Sequence, residues 1–94
     1  MKSIIQEEKK CYFCDTTLNL HEHHIFEGRN RQMSEKYGLK VWLCSSHHNM
    51  SDDSVHFNPV YMKLLKTIGQ LYFERTYDEE FIRIFRRNYL WKNR

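Results

Sequence analysis

Leu39-Lys40-Val41-Trp42-Leu43-Cys44-Ser45-Ser46-His47-His48-Asn49 is the stretch on which the fold turns. Its first half, with Val41, Trp42 and Leu43, has the composition of a strand. Ser45 and Ser46 follow at once, and serine is a favoured helix N-cap. A short helix carrying His47, His48 and Asn49 is therefore expected to begin there. Cys44-x-x-His47 thus straddles a strand-to-helix junction, where the positive end of the helix dipole favours a thiolate.

Upstream, Cys11-x-x-Cys14 forms a second pair with the same two-residue gap, which lets both members grip one ion from a tight turn. Zinc takes four ligands tetrahedrally and prefers thiolate and imidazole. Cys11, Cys14, Cys44 and His47 are accordingly read as a structural zinc site; the C-x-x-H spacing selects His47 over His48 as the fourth ligand. Knuckle, hairpin and helix in that order make a treble-clef arrangement. The plainer reading, buried cysteines and a surface histidine, would suit one pair better than two. Three cysteines cannot close a disulfide framework, and the set fits a reducing, intracellular setting.

Between the two pairs lies His21-Glu22-His23-His24-Ile25-Phe26. Neighbours on a strand face opposite ways, so His23 and His24 can serve one site only across a bend or bulge. With zinc holding the helix against the hairpin, His23, His24 and His48 are expected to converge. The plainer alternatives are a second structural zinc site or half-buried strand histidines. His21 is read as a solvent-exposed side chain. All six histidines fall between His21 and His56, which concentrates the chemistry in one window.

Outside that window the chain reads as an ordinary folded domain. With 94 residues it has room for one domain and a modest core, short enough to profit from a metal staple. Residues 1–10 are a polar lead-in; their only apolar pair, Ile4-Ile5, is too short for a signal-peptide core, and no apolar run approaches a membrane span. Residues 11–56 hold the zinc core, with Arg29 to Gly38 as a polar, basic loop containing one helical turn at Ser34 to Tyr37. Residues 58–94 form a helical extension that opens on Asn58-Pro59, an N-cap followed by proline at the first helical position. Val60, Leu64, Ile68, Leu71 and Tyr72 recur at helical spacing and predict its core face. Thr76 with Glu79 resembles a capping box for a second helix carrying Phe81, Ile84, Phe85 and Leu90. The expected class is α+β: a zinc-stapled ββα core with a C-terminal pair of packed helices.

These residues carry a resemblance. His23-His24-Ile25, the strand running into Cys44-x-x-His47, and the His48-Asn49 that follows resemble the HNH endonuclease family, in particular its zinc-bearing ββα-metal members. Ser34-Glu35-Lys36-Tyr37-Gly38-Leu39 and Phe81-Ile82-Arg83-Ile84-Phe85 are similar to small HNH-like proteins of phage genomes. The core likeness covers about residues 11–56.

The resemblance implies a metal-dependent DNA endonuclease or nickase in a bacterial or phage-infected cytoplasm. It makes His24 the general base and gives one divalent ion, magnesium or manganese, to His23 and His48. His56 is then a third ligand, a phosphate contact or a plain loop histidine. The family's orienting Asn at the start of the second strand is absent from Leu39-Lys40, which leaves Asn30 or a backbone carbonyl to do its work.

The net charge of +3 is compatible with a polyanionic partner without demanding one. Arg29, Arg31, Arg83, Arg86 and Arg87, with Lys92 and Arg94, are the candidate phosphate contacts; a solvated helix face is the alternative. No element looks like a sequence reader, so DNA binding of low intrinsic specificity is expected, or specificity from a second copy or a protein partner. The rival to the enzyme is a non-catalytic zinc treble-clef module binding DNA or protein, and RNA as the substrate stays open.

Overall fold

The computed structural model describes residues 1–51 and 54–90. Two antiparallel strands, β1 (Leu20–His24) and β2 (Lys40–Cys44), pair in continuous register from Leu20 opposite Cys44 to His24 opposite Lys40. The chain between them, expected to be mostly loop, carries a 3-10 turn at Gly28–Asn30 and the helix α1 (Arg31–Tyr37). Gly38 ends α1 in the left-handed region, with φ 72°. A side chain there would be doubly excluded, because a Cβ would lie 2.5 Å from the Lys2 carbonyl oxygen. That close approach is how the lead-in docks: Ile4 N–H donates to the Gly38 carbonyl at 2.9 Å.

A single π-helical turn, Ser46–Met50, follows β2 directly. The long helix α2 (Pro59–Thr76) starts as the sequence predicts, with the Asn58 side chain accepting from Val60 N–H at 3.0 Å and Tyr61 N–H at 3.4 Å. The short helix α3 (Phe81–Phe85) has Glu80 at its N-cap. The expected Thr76–Glu79 capping box does not form, because Thr76 is still the last residue of α2.

The predicted core face of α2 is also wrong. Val60, Leu64 and Leu71 are exposed, and Leu65, Gly69, Gln70 and Phe73 are buried instead. The buried face holds a glycine and a glutamine, so counting apolar residues missed it. Gly69 lets the helix close on the hairpin: a Cβ there would sit 3.0 Å from the Phe26 ring. Gln70 is satisfied by Asn88 at 2.9 Å and by Tyr89 N–H at 2.7 Å. Phe26 leads the core, its ring 5.1 Å from Phe81, 4.8 Å from Phe85 and 5.3 Å from Tyr89. Among the described residues no helix is long and apolar enough to cross a membrane.

Candidate metal centres

The first centre forms at the end of β2. Cys11–Cys14 is a knuckle closed by Asp15 N–H on the Cys11 carbonyl (2.9 Å) and Cys11 N–H on the Thr16 carbonyl (2.8 Å). Asp15 takes a left-handed φ of 64° to allow the reversal. Tyr12 N–H donates to the Trp42 carbonyl at 2.9 Å, which pins the knuckle to β2. Cys44 ends that strand, and the π turn brings His47 back beside it.

The four ligand atoms of Cys11, Cys14, Cys44 and His47 lie within 4.8 Å of one another. Cys14 Sγ is 3.8 Å from Cys44 Sγ, and His47 Nδ1 is 3.6 Å from Cys11 Sγ and 3.2 Å from Cys44 Sγ. With Zn–S of about 2.3 Å and Zn–N of about 2.0 Å, a regular tetrahedron has edges of about 3.8 Å between sulfurs and about 3.5 Å from sulfur to nitrogen. The spacing is therefore compatible with structural zinc. Burial pushes the Cys11 thiol up, but N–H groups of Cys44, Phe13 and Cys14 outweigh it and bring it down to about 7. The Thr16 N–H favours the Cys14 thiolate, yet burial and the neighbouring Cys11 and Cys44 sulfurs together raise it. Sulfurs crowded in this way are relieved by a cation.

The second group lies next to the first. His23 comes from β1, His48 from the π turn, and His56 from the loop that returns over it. His56 N–H reaches the His48 carbonyl at 3.4 Å and Val55 N–H the His47 carbonyl at 2.8 Å. One ring nitrogen from each of His23, His48 and His56 falls within 4.8 Å of the other two. His48 Nε2 is 3.2 Å from His56 Nε2. The expected meeting of His23 with His48 is thus present, and His56 joins them.

Burial, then the neighbouring His48 and His56, lowers His23 to about 3. Burial, then His56 and His21, lowers His48 to about 4. Both rings are neutral at neutral pH, the form that ligates a metal. Three imidazoles suit zinc, manganese or another transition metal, whereas magnesium takes oxygen ligands, so the donor set does not fit the magnesium expected from the resemblance.

His24 does not join this group. The register of β1 on β2 is unbroken, so period-two alternation sends His24 to the face opposite His23. Its Nε2–H donates to Glu35 Oε1 at 2.7 Å. Glu35 also receives the Met1 amino group at 2.9 Å and Lys40 Nζ at 3.0 and 3.2 Å, and Lys40 reaches Glu22 at 3.2 Å. Glu22, His24 and Glu35 are close enough together to suggest a cation site, but the Lys40 ammonium already sits among them. The ring partner of His24 is thus a carboxylate on α1. Asn30, the other candidate, is engaged elsewhere, donating to the Phe85 carbonyl at 3.2 Å.

Sequence reasoning missed three residues beside the trio. His21, read as solvent-exposed, places Nδ1 2.9 Å from His48 Nδ1. Its signal was the alternation that puts it on the His23 face. Glu27 Oε2 is 3.8 Å from His23 Nδ1 and 3.9 Å from His56 Nε2. Lys66 on α2 is near enough for its charge to act on His23; nothing in the local sequence marks it.

Arg29, Arg31, Arg83, Arg86 and Arg87 are all exposed. The Asn30–Phe85 hydrogen bond ties Asn30, which lies between Arg29 on the 3-10 turn and Arg31 at the start of α1, to the end of α3, beside Arg86 and Arg87. Asp52, a candidate contributor to the histidine group by its closeness in sequence, lies outside the described residues, as do Lys92 and Arg94. In comparisons with protein-family models, curated proteins and solved structures, the chain matches none of them.

Proposed function

We propose that the chain is a metal-dependent phosphodiester hydrolase acting on DNA, built as a treble clef. Zinc on Cys11, Cys14, Cys44 and His47 holds the knuckle, strand and π turn together. A second divalent ion on His23, His48 and His56 forms the working centre. The observation that carries this reading is that three imidazoles from three separate segments converge beside the cysteine group.

An ion bound there supplies positive charge and Lewis acidity to a phosphodiester. The protein's own part is to present bare imidazole nitrogens. With His48 Nε2 facing the ion, His48 Nδ1–H donates to His21, which fixes the tautomer and ring angle. Lys66 and the arginines beside the Asn30–Phe85 tie are the cations available to phosphate oxygens.

A second reading, a zinc module that binds without cutting, is favoured by one observation: the base implied by the family likeness, His24, is turned to Glu35 and away from the trio. Plasmid cleavage with manganese, cobalt, zinc or magnesium separates the two. Cleavage lost in His48→Ala with folding and zinc content intact supports the hydrolase, and the His24→Ala variant then reports whether His24 takes part. Absence of cleavage with every ion, alongside retained DNA binding, would leave the binding module.

A further inference from the structure

The geometry points to Glu27 as a fourth protein donor of the second centre, making it a three-imidazole, one-carboxylate site; this rests on the trio holding an ion. Glu27 lies just beyond β1 on a backbone fixed from both sides. Before it, Phe26 is clamped to Ser34, whose hydroxyl accepts from Phe26 N–H at 2.9 Å and donates to the Phe26 carbonyl at 2.8 Å. After it, Asn30 N–H donates to the Glu27 carbonyl at 3.0 Å as the chain enters the 3-10 turn. The side chain runs back along the His23 face, and one oxygen, Oε2, faces two members of the trio at once.

Neither contact is a hydrogen bond, since 3.8 and 3.9 Å exceed donor–acceptor range. One oxygen facing two trio members at once is the arrangement of a shared coordination sphere drawn slightly open. Ligand atoms about 2.0–2.1 Å from one ion stand about 3.3–3.4 Å apart in a tetrahedron and about 2.8–3.0 Å apart in an octahedron. The His48–His56 separation of 3.2 Å is already close to a tetrahedral edge, and the two carboxylate separations need to shorten by about 0.5 Å to reach one. His23 is almost wholly buried, whereas the Glu27 side chain is 37 % exposed, so the carboxylate approaches from the solvent side. It also offsets one of the two positive charges that a divalent ion would bring.

The test is a cobalt titration of the zinc-loaded full chain, read by visible absorption and by calorimetry, with Glu27→Gln, Glu27→Asp and His48→Ala beside the parent. The parent should take up one cobalt beyond its zinc. Glu27→Gln should weaken that uptake at least about 10-fold and alter the d–d band, Glu27→Asp should fall between, and the zinc content of both should stay at one. If Glu27→Gln titrates like the parent while His48→Ala loses the second ion, Glu27 is not a donor and the imidazole trio stands alone. If His48→Ala also keeps the second ion, the trio reading fails and takes this proposal with it.

Discussion

His47 and His48 are consecutive residues that serve different groups: His47 Nδ1 lies 3.2 Å from Cys44 Sγ, and His48 Nε2 lies 3.2 Å from His56 Nε2. One peptide unit therefore joins the two centres. Both residues sit on the π turn, and neighbouring residues on a helical turn do not face the same way, so each can meet a different group.

The link predicts an asymmetry. Cys44→Ser should release zinc, lower the melting temperature and also weaken cobalt uptake at the second centre, because His48 loses its anchor. His48→Ala should leave zinc and most of the stability in place. Metal analysis and thermal melts on both variants check this. Equal melting temperatures and equal zinc content in Cys44→Ser and the parent would refute the zinc assignment.

The pair on the opposite face predicts an acid limb. The hydrogen bond from His24, then the Met1 amino group and Lys40, hold the Glu35 carboxyl well below the usual carboxylate range. A carboxylate lowered in the folded state stabilises it above its unfolded pKa of about 4.3, and that contribution is lost as pH falls below that value. Stability of the parent should therefore drop between about pH 5 and pH 3. Glu35→Gln should be less stable at pH 7 and show a flatter decline. Urea melts across that range measure it, and parallel curves would remove Glu35 from the role.

Packing on α2 gives a third prediction. Gly69→Ala places a Cβ against Phe26 and Ile25, at 3.0 and 3.3 Å, and should cost about 1–3 kcal/mol. Phe73→Ala, emptying a fully buried site, should cost about 3–5 kcal/mol. Val60→Ala, on the exposed face, should fall within about 0.5 kcal/mol of the parent. Denaturant unfolding ranks the three; a large loss in Val60→Ala would restore the predicted core face.

The contrast on α2 shows where the sequence was legible. Ligand pairs are local, so Cys11-x-x-Cys14 and Cys44-x-x-His47 announced the cysteine centre, and Asn58-Pro59 announced the helix start. The face a helix buries is decided by what meets it, here the Phe26 ring over Gly69, and no window of the sequence contains both. The same holds at the second centre. Alternation along β1 was enough to separate His23 from His24 once the strand proved unbroken, yet a bulge would have reversed the outcome. Glu27 and Lys66 reach the trio only through the folded chain.

The last prediction concerns DNA itself. Each lost phosphate contact should reduce the slope of log affinity against log salt by about 0.9. The Asn30–Phe85 tie puts Arg86 and Arg87 beside the junction of the 3-10 turn and α1 that carries Arg29 and Arg31, so Arg86→Gln with Arg87→Gln should flatten that slope by about 1.8 and weaken binding equally across unrelated duplexes. Lys66 stands elsewhere, close enough to the trio for His23 to feel its charge, where it can meet a phosphate held by the second ion. Lys66→Gln should therefore slow cleavage more than it weakens binding. Fluorescence anisotropy over a salt series measures the slope, and single-turnover cleavage measures the rate. An unchanged slope in the double variant would assign Arg86 and Arg87 to a solvated helix end and move the DNA path away from α3.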